Sequence, residues 1–130
     1  MFRRPVVLSV ALVLLGACSG SDSGAQVDMA AGQRFEPQRI SVDIGQTVVF
    51  SNTSDESHTV TAYEDDLPEA ADYFASGGFD DEESAREALS DGLLEAGEDF
   101  EVTPTEPGTY TYFCIPHEAS GMKGTIVVQP

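Results

Sequence analysis

The segment YFCIPHEASGM, residues 112–122, places three side chains with soft or borderline donor atoms within nine residues: Cys114, His117 and Met122. A thiolate, an imidazole and a thioether on one short turn suit copper, above all a centre that must accept Cu(I) as well as Cu(II). A trigonal copper site needs a second imidazole. The sequence has one other histidine, His58, which directly follows the polar loop 52–57. Each residue alone has a plainer reading: a lone cysteine in a β domain is a small buried hydrophobe, and a lone methionine fills core space. Those readings say nothing about spacing, whereas a metal site requires the four donors to meet.

The flanking elements must bring them together. Stretches 39–44, 47–50, 58–63, 99–103 and 109–114 alternate or run apolar, with turn signals at Gly45-Gln46 and Pro107-Gly108, and Lys123 opens a last strand. Six or seven short strands separated by turns predict an antiparallel sandwich or barrel. Cys114 closes a strand, 115–121 is a loop with a proline and glycine, and the next strand follows at once. The three donors therefore share one end of the sandwich, and His58, starting a strand after a loop, reaches the same end.

The exception to the strand texture is 64–98, where 13 of 35 residues are acidic. It reads as an excursion on the outside of the sandwich. Within it, 80–89 predicts a short helix, with Asp80 at the cap and Glu83 at the third helical position.

Residues 1–17 read as a signal peptide: Arg3 and Arg4 precede an apolar run from Pro5 to Leu15, too short to span a bilayer comfortably. Leu15-Gly16-Ala17-Cys18 resembles a lipobox, so Cys18 is the expected lipid attachment and 18–25 a lipid-anchored flexible tether ahead of a domain at 26–130. The paired arginines leave Sec and twin-arginine export both open. The expected location is the outer face of the cytoplasmic membrane. Lipidation leaves Cys114 without a disulfide partner, which an exported domain has to explain.

The chain carries 23 acidic against six basic residues, a net −17; losing residues 1–17 removes two bases and no acid, leaving −19. Such a surface does not seek nucleic acid. The charge is spread widely, which fits solubility in a very salty medium and points to a halophile.

Cys114, His117 and Met122, the glycine before the methionine and His58 after an Asn-containing loop together resemble the type 1 blue copper proteins, the cupredoxins. The plastocyanin and halocyanin branch is the most similar. FEPQRISV at 35–42, GQTVVFSN at 45–52 and FASGGF at 74–79 extend the resemblance over about 26–130. The resemblance implies a cupredoxin-like antiparallel Greek-key β-sandwich and one copper ion. It implies His58 and His117 binding through Nδ1, Cys114 through sulfur, and Met122 as a weak axial ligand. It also implies that His117 reaches the surface amid an apolar patch typed by Pro116, Gly121 and Met122, and serves as the electron exit.

Two departures stand next to the ligands. Thr59 occupies a position where the family commonly has an asparagine that ties the ligand loops together, and a hydroxyl has less reach. Phe113 replaces the tyrosine of plastocyanin's second electron route, so that route is not carried over. Pro116 has no N–H to offer the Cys114 sulfur.

The function that follows is a membrane-tethered one-electron carrier, monomeric, working between larger redox proteins as donor and acceptor. It is not an enzyme: two histidines furnish no second copper cluster, and no nucleophile–base pair or phosphate loop appears. The alternatives are a copper delivery or storage protein, against which the three methionines (Met1, Met29, Met122) argue, and a metal-free acidic β-sandwich module.

Overall fold

The alternation in the C-terminal stretches becomes two adjacent strands whose inward residues are all apolar. The computed structural model describes residues 25–130. Its strands are β1 (Ala25–Ala30), β2 (Arg34–Glu36), β3 (Arg39–Asp43), β4 (Val48–Asn52), β5 (Thr61–Ala62), β6 (Asp99–Val102), β7 (Gly108–Phe113) and β8 (Lys123–Gln129). They form two four-stranded sheets, ordered β2-β1-β4-β6 and β3-β8-β7-β5. The expected sandwich is present. Each sheet also holds one parallel pair, β1 with β4 and β3 with β8. Parallel pairs are joined by long connections rather than hairpins, so local turn signals do not announce them.

The core lies between the sheets. In β7, Tyr110 and Tyr112 point inward while Thr109 and Thr111 are more exposed; in β8, Gly124, Ile126 and Val128 point inward. Tyr112 is the hub: its ring meets Phe35 edge-on at 4.8 Å and Phe50 at 5.1 Å. Such edge-to-face contacts add to the burial of aromatic area. Gly124 is paired opposite Tyr112, and the tyrosine ring occupies the volume that a side chain there would need. Burial raises the Tyr112 hydroxyl well above the ordinary tyrosine range.

The helix of the acidic stretch is present but begins later than expected. Helix α1 spans Glu82–Glu87, and the cap is Asp81, whose side chain accepts the Ser84 N–H at 2.7 Å. This hydrogen bond holds the Asp81 carboxyl below the usual carboxylate range. In a run of four acids only the final backbone settles which one caps. A second short helix, α2, spans Leu89–Gly92.

The excursion is not only an outer appendage. Ala75 bridges Thr61 of β5, and Leu94 bridges His58. Ser76 Oγ donates to the Gly92 carbonyl at 2.6 Å and accepts the Val60 N–H at 3.1 Å, locking both limbs to the chain after His58. Arg86 lies over the Phe113 ring at 4.5 Å and pairs with Glu118 of the loop after Cys114 at 2.8 Å. Residues 64–98 thus form one wall of the end where the donors sit.

At the N-terminus, Ala25 already belongs to β1, its N–H donating to the Thr47 carbonyl at 3.0 Å, so the strand takes the last residue of the expected tether. The signal peptide 1–17 and Cys18 lie outside the described residues.

Candidate metal centre

Cys114 follows β7 in an extended conformation, fully buried. The chain then turns through Ile115–Ser120, kinks at His117, and leaves by Gly121 at φ 86. That left-handed conformation suits glycine and lets the chain double back. The turn is closed by its own backbone. The Cys114 N–H donates to the Met122 carbonyl at 3.0 Å, His117 N–H to the Cys114 carbonyl at 3.3 Å, and Met122 N–H to the His117 carbonyl at 3.2 Å. Three donors close in sequence are thereby fixed in space, with Met122 buried beside Cys114.

His58 comes from the opposite limb. It exchanges two backbone hydrogen bonds with Leu94, at 3.1 and 2.7 Å, and is fully buried. Its Nε2 lies 2.8 Å from Ser54 Oγ. The surrounding network fixes the proton. Asn52 Nδ2 donates to the carbonyls of Glu56 at 2.7 Å and Leu94 at 2.9 Å, so its Oδ1 is the acceptor facing Ser54. Ser54 Oγ has one proton; it accepts the Glu56 N–H at 3.2 Å, while Asn52 Oδ1 at 2.8 Å and the Glu56 carbonyl at 3.2 Å can only accept from it. The hydroxyl therefore donates there and accepts Nε2–H from His58, which leaves the Nδ1 lone pair of His58 facing the site.

His117 is held the same way. Its Nε2 lies 3.1 Å from Glu56 Oε2, a carboxylate that accepts the Nε2–H. An outer hydrogen bond that orients a ligating imidazole and sets its tautomer is the usual support of a metal-binding histidine.

The inner atoms converge. His58 Nδ1 and His117 Nδ1 are 3.1 Å apart, and they lie 3.7 and 3.4 Å from Cys114 Sγ. The point equidistant from three atoms at those separations is about 2.0 Å from each, close to the roughly 2.0–2.3 Å of nitrogen and thiolate bonds to zinc, a comparable ion. Two imidazoles and a thiolate around one point, with a thioether residue packed alongside, is the donor set of a trigonal copper centre. The residues fit the ion.

Burial acts on the titrating groups in a consistent direction. It pushes the Cys114 thiol above its ordinary value, partly offset by the Thr59 N–H, which points at the sulfur from 3.4 Å. It lowers His58 below 6.5, and His117 lowers it further. Both effects oppose charge on these groups, and a bound cation would reverse that balance.

The four expected ligands, His58, Cys114, His117 and Met122, are brought together. Thr59 is a working brace despite its shorter reach: its hydroxyl accepts the Ile115 N–H at 2.8 Å, tying the His58 limb to the Cys114 loop. Pro116 is exposed in that loop. The surface around His117 departs from the implied apolar patch. Met122 is fully buried and does not line it, and the outer edge of His117 meets Glu56. Phe113, in place of tyrosine, is buried and stacks on Tyr63 at 4.2 Å. Sequence reasoning missed Asn52, Ser54, Glu56 and Leu94. Asn52 and Ser54 carried a signal, since Asn and Ser just before a histidine form side-chain turns; Glu56 and Leu94 carried none.

A β-sandwich holding two histidines, a cysteine and a methionine at one end defines a cupredoxin, the class of small blue copper proteins. Comparison with known proteins narrows this. The family model of copper-binding proteins, plastocyanin/azurin family, matches residues 23–129. The chain is 38% identical to a plastocyanin of Scenedesmus fuscus over 112 residues, covering 85% of this chain and 94% of that one. It is 34% identical to the major chloroplastic plastocyanin isoform of Arabidopsis thaliana over 125 residues, covering 94% of this chain and 70% of that one. Among solved structures, a reduced amicyanin variant superposes with a TM-score of 0.61 at 28% identity, covering 83% of this chain and 84% of that one. A fern plastocyanin variant superposes with a TM-score of 0.59 at 27% identity, covering 81% of this chain and all of that one. The chain belongs to the plastocyanin/azurin family, and copper is its cofactor.

Proposed function

We propose that this protein is a one-electron carrier, with copper held by His58, Cys114, His117 and Met122 and electrons exchanged with separate redox proteins. Convergence of two Nδ1 atoms and one Sγ on a single point about 2.0 Å from each carries this reading. When bound, copper supplies the one-electron Cu(II)/Cu(I) couple.

The chain's part is to keep the donors still. Electron transfer is fast when little rearranges between oxidation states. Here the positions are over-determined: Cys114, His117 and Met122 by the backbone bonds of their own turn, His58 by its paired bonds to Leu94, and the two limbs by the Thr59 hydroxyl. Both imidazoles are clamped at their outer nitrogens, by Ser54 and Glu56. Burial of Cys114 excludes water from the thiolate. A delivery or storage protein would need donors that open for exchange, and this arrangement resists opening. His117, at 15% side-chain exposure, is the ligand whose ring reaches toward the surface, so electrons leave and enter through its edge.

Lipid attachment at Cys18, the lipobox residue, places this carrier at the outer face of the cytoplasmic membrane. Among the described residues no helix is long and apolar enough to cross a membrane. A monomer on a short tether would shuttle between larger complexes. Voltammetry of the copper-loaded chain tests the central reading: a reversible one-electron wave supports it, and an irreversible wave with loss of copper contradicts it. Mass spectrometry of the membrane-derived protein tests the anchor, which a free Cys18 thiol would rule out.

A further inference from the structure

We propose that Glu56 makes the electron-exit edge of His117 anionic, so that this end of the protein selects redox partners presenting positive charge. The proposal rests on the copper reading above and concerns a residue outside the ligand set.

The geometry gives Glu56 two distinct oxygens. Oε2 is anchored, accepting Nε2–H of His117 at 3.1 Å and the Gln33 side-chain amide at 3.0 Å. Gln33 is held in turn by Ser120, whose hydroxyl reaches both the Gln33 Oε1 at 2.8 Å and the His117 carbonyl at 2.9 Å. The carboxylate is thereby clamped against the ligand ring from two sides. Oε1 takes no hydrogen bond among the described residues, and the side chain is 49% exposed. One oxygen holds the histidine, and the other, among the described residues, is left without a hydrogen-bond partner on a half-exposed side chain.

The charge is not neutralised from within. Among the described residues no lysine or arginine pairs with Glu56: Arg34 pairs with Glu36, and Arg86 with Glu82 and Glu118. Asp55, exposed, adjoins Glu56 in the loop, and Glu95 is joined to that loop through Ser57 at 2.5 Å. A partner acid docking on His117 would face like charge at close range, whereas a lysine or arginine would find the open oxygen. Charge arranged this way acts mainly on encounter rate and on rejection of wrong partners.

The test uses the copper-loaded full chain, reduced, and oxidised in turn by a cationic complex, tris(phenanthroline)cobalt(III), and an anionic one, hexacyanoferrate(III), at matched ionic strength. The ratio of the two rates cancels any change in the protein's own driving force. Glu56→Gln retains the accepting oxygen for His117 and removes the charge. Glu101→Gln, exposed on β6, removes one charge elsewhere. The cation-over-anion ratio should fall by about fivefold at low salt in Glu56→Gln and far less in Glu101→Gln, with the difference shrinking as salt rises. The reduction potential should rise in Glu56→Gln, because an anion beside the site favours the oxidised ion. Equal changes in the two variants, or none in Glu56→Gln, overturn the role of Glu56 while leaving the copper site standing. A wild-type chain that takes up no copper overturns the site reading first.

Discussion

The Thr59 hydroxyl accepts the Ile115 N–H at 2.8 Å and so joins residues 56 positions apart, one next to His58 and the other next to Cys114. The Thr61 hydroxyl donates to the same oxygen at 3.1 Å, and the Thr59 N–H points at the Cys114 sulfur. One threonine thus touches both ligand limbs. Replacing it by valine keeps the shape and removes the acceptor, which leaves the part-buried Ile115 N–H unpaired. Thr59→Val should cost about 1–3 kcal/mol of stability, and Thr59→Ser should recover most of it. Denaturant unfolding of the copper-free protein measures both; a valine variant as stable as wild type would deny the brace.

Acid and base should each weaken the copper-free fold, for different reasons. His58 is held below its ordinary 6.5 in the folded state, chiefly by burial and then by His117. Below pH 6.5 the unfolded chain binds a proton there that the folded chain refuses, so stability falls as pH drops through that value. Cys114 is held above its ordinary 9.0, chiefly by burial. Above pH 9 the unfolded chain releases a proton that the folded chain keeps, so stability falls again. Unfolding followed from pH 5 to 10 should give a plateau between the two limits. His58→Gln, which does not titrate, should flatten the acid limb; an unchanged acid limb would contradict the assignment.

Gly124→Ala tests the packing beneath the site. The added methyl would meet the hydroxyl and ring of Tyr112, which is wedged between Phe35 and Phe50 and has nowhere to retreat. Overpacking of this kind should cost about 1–3 kcal/mol. A second change, Tyr112→Phe, removes the hydroxyl that the methyl meets first and should recover part of the loss. Thermal unfolding of the three variants decides the matter, and additive losses would show that the two residues do not compete for space.

Much of the site could be read from the sequence because its donors are few and crowded. Cys114, His117 and Met122 share one turn, and with two histidines in the chain the second imidazole had one source. The strands around them were equally visible, since alternation in β7 and β8 is local. What was hidden depends on contacts between distant segments. Leu94 pairs with His58 across 36 residues, and no spacing rule connects a leucine in an acidic stretch to a histidine. Asn52 and Ser54 pointed to a side-chain turn before His58, but nothing in the loop showed that Ser54 and Glu56 would orient the two imidazoles. The parallel pairings of β1 with β4 and β3 with β8 were hidden for the same reason. The difference between Asp80 and Asp81 as helix cap is finer than composition resolves.

Pro116 sits two residues after Cys114 and has no N–H, while Thr59 supplies a backbone N–H to the sulfur from the other limb. A second donor to the thiolate would draw electron density from it and favour the reduced ion, since hydrogen bonds around the ligands tune the metal. Pro116→Ala should therefore raise the reduction potential of the copper-loaded protein. Voltammetry at fixed pH reads it directly; an unchanged or lowered potential would refute the role given to Pro116.

The account depends most on Cys114 binding copper together with His58 and His117. Stoichiometric Cu(II) added to the purified domain, followed by visible absorption, tests this most directly. The expected result is an intense blue band at one copper per chain, bleached by a mild reductant and restored on reoxidation. It should be absent in Cys114→Ser and retained, though shifted, in Met122→Leu. A colourless wild-type mixture, or a blue band that survives Cys114→Ser, would contradict the site.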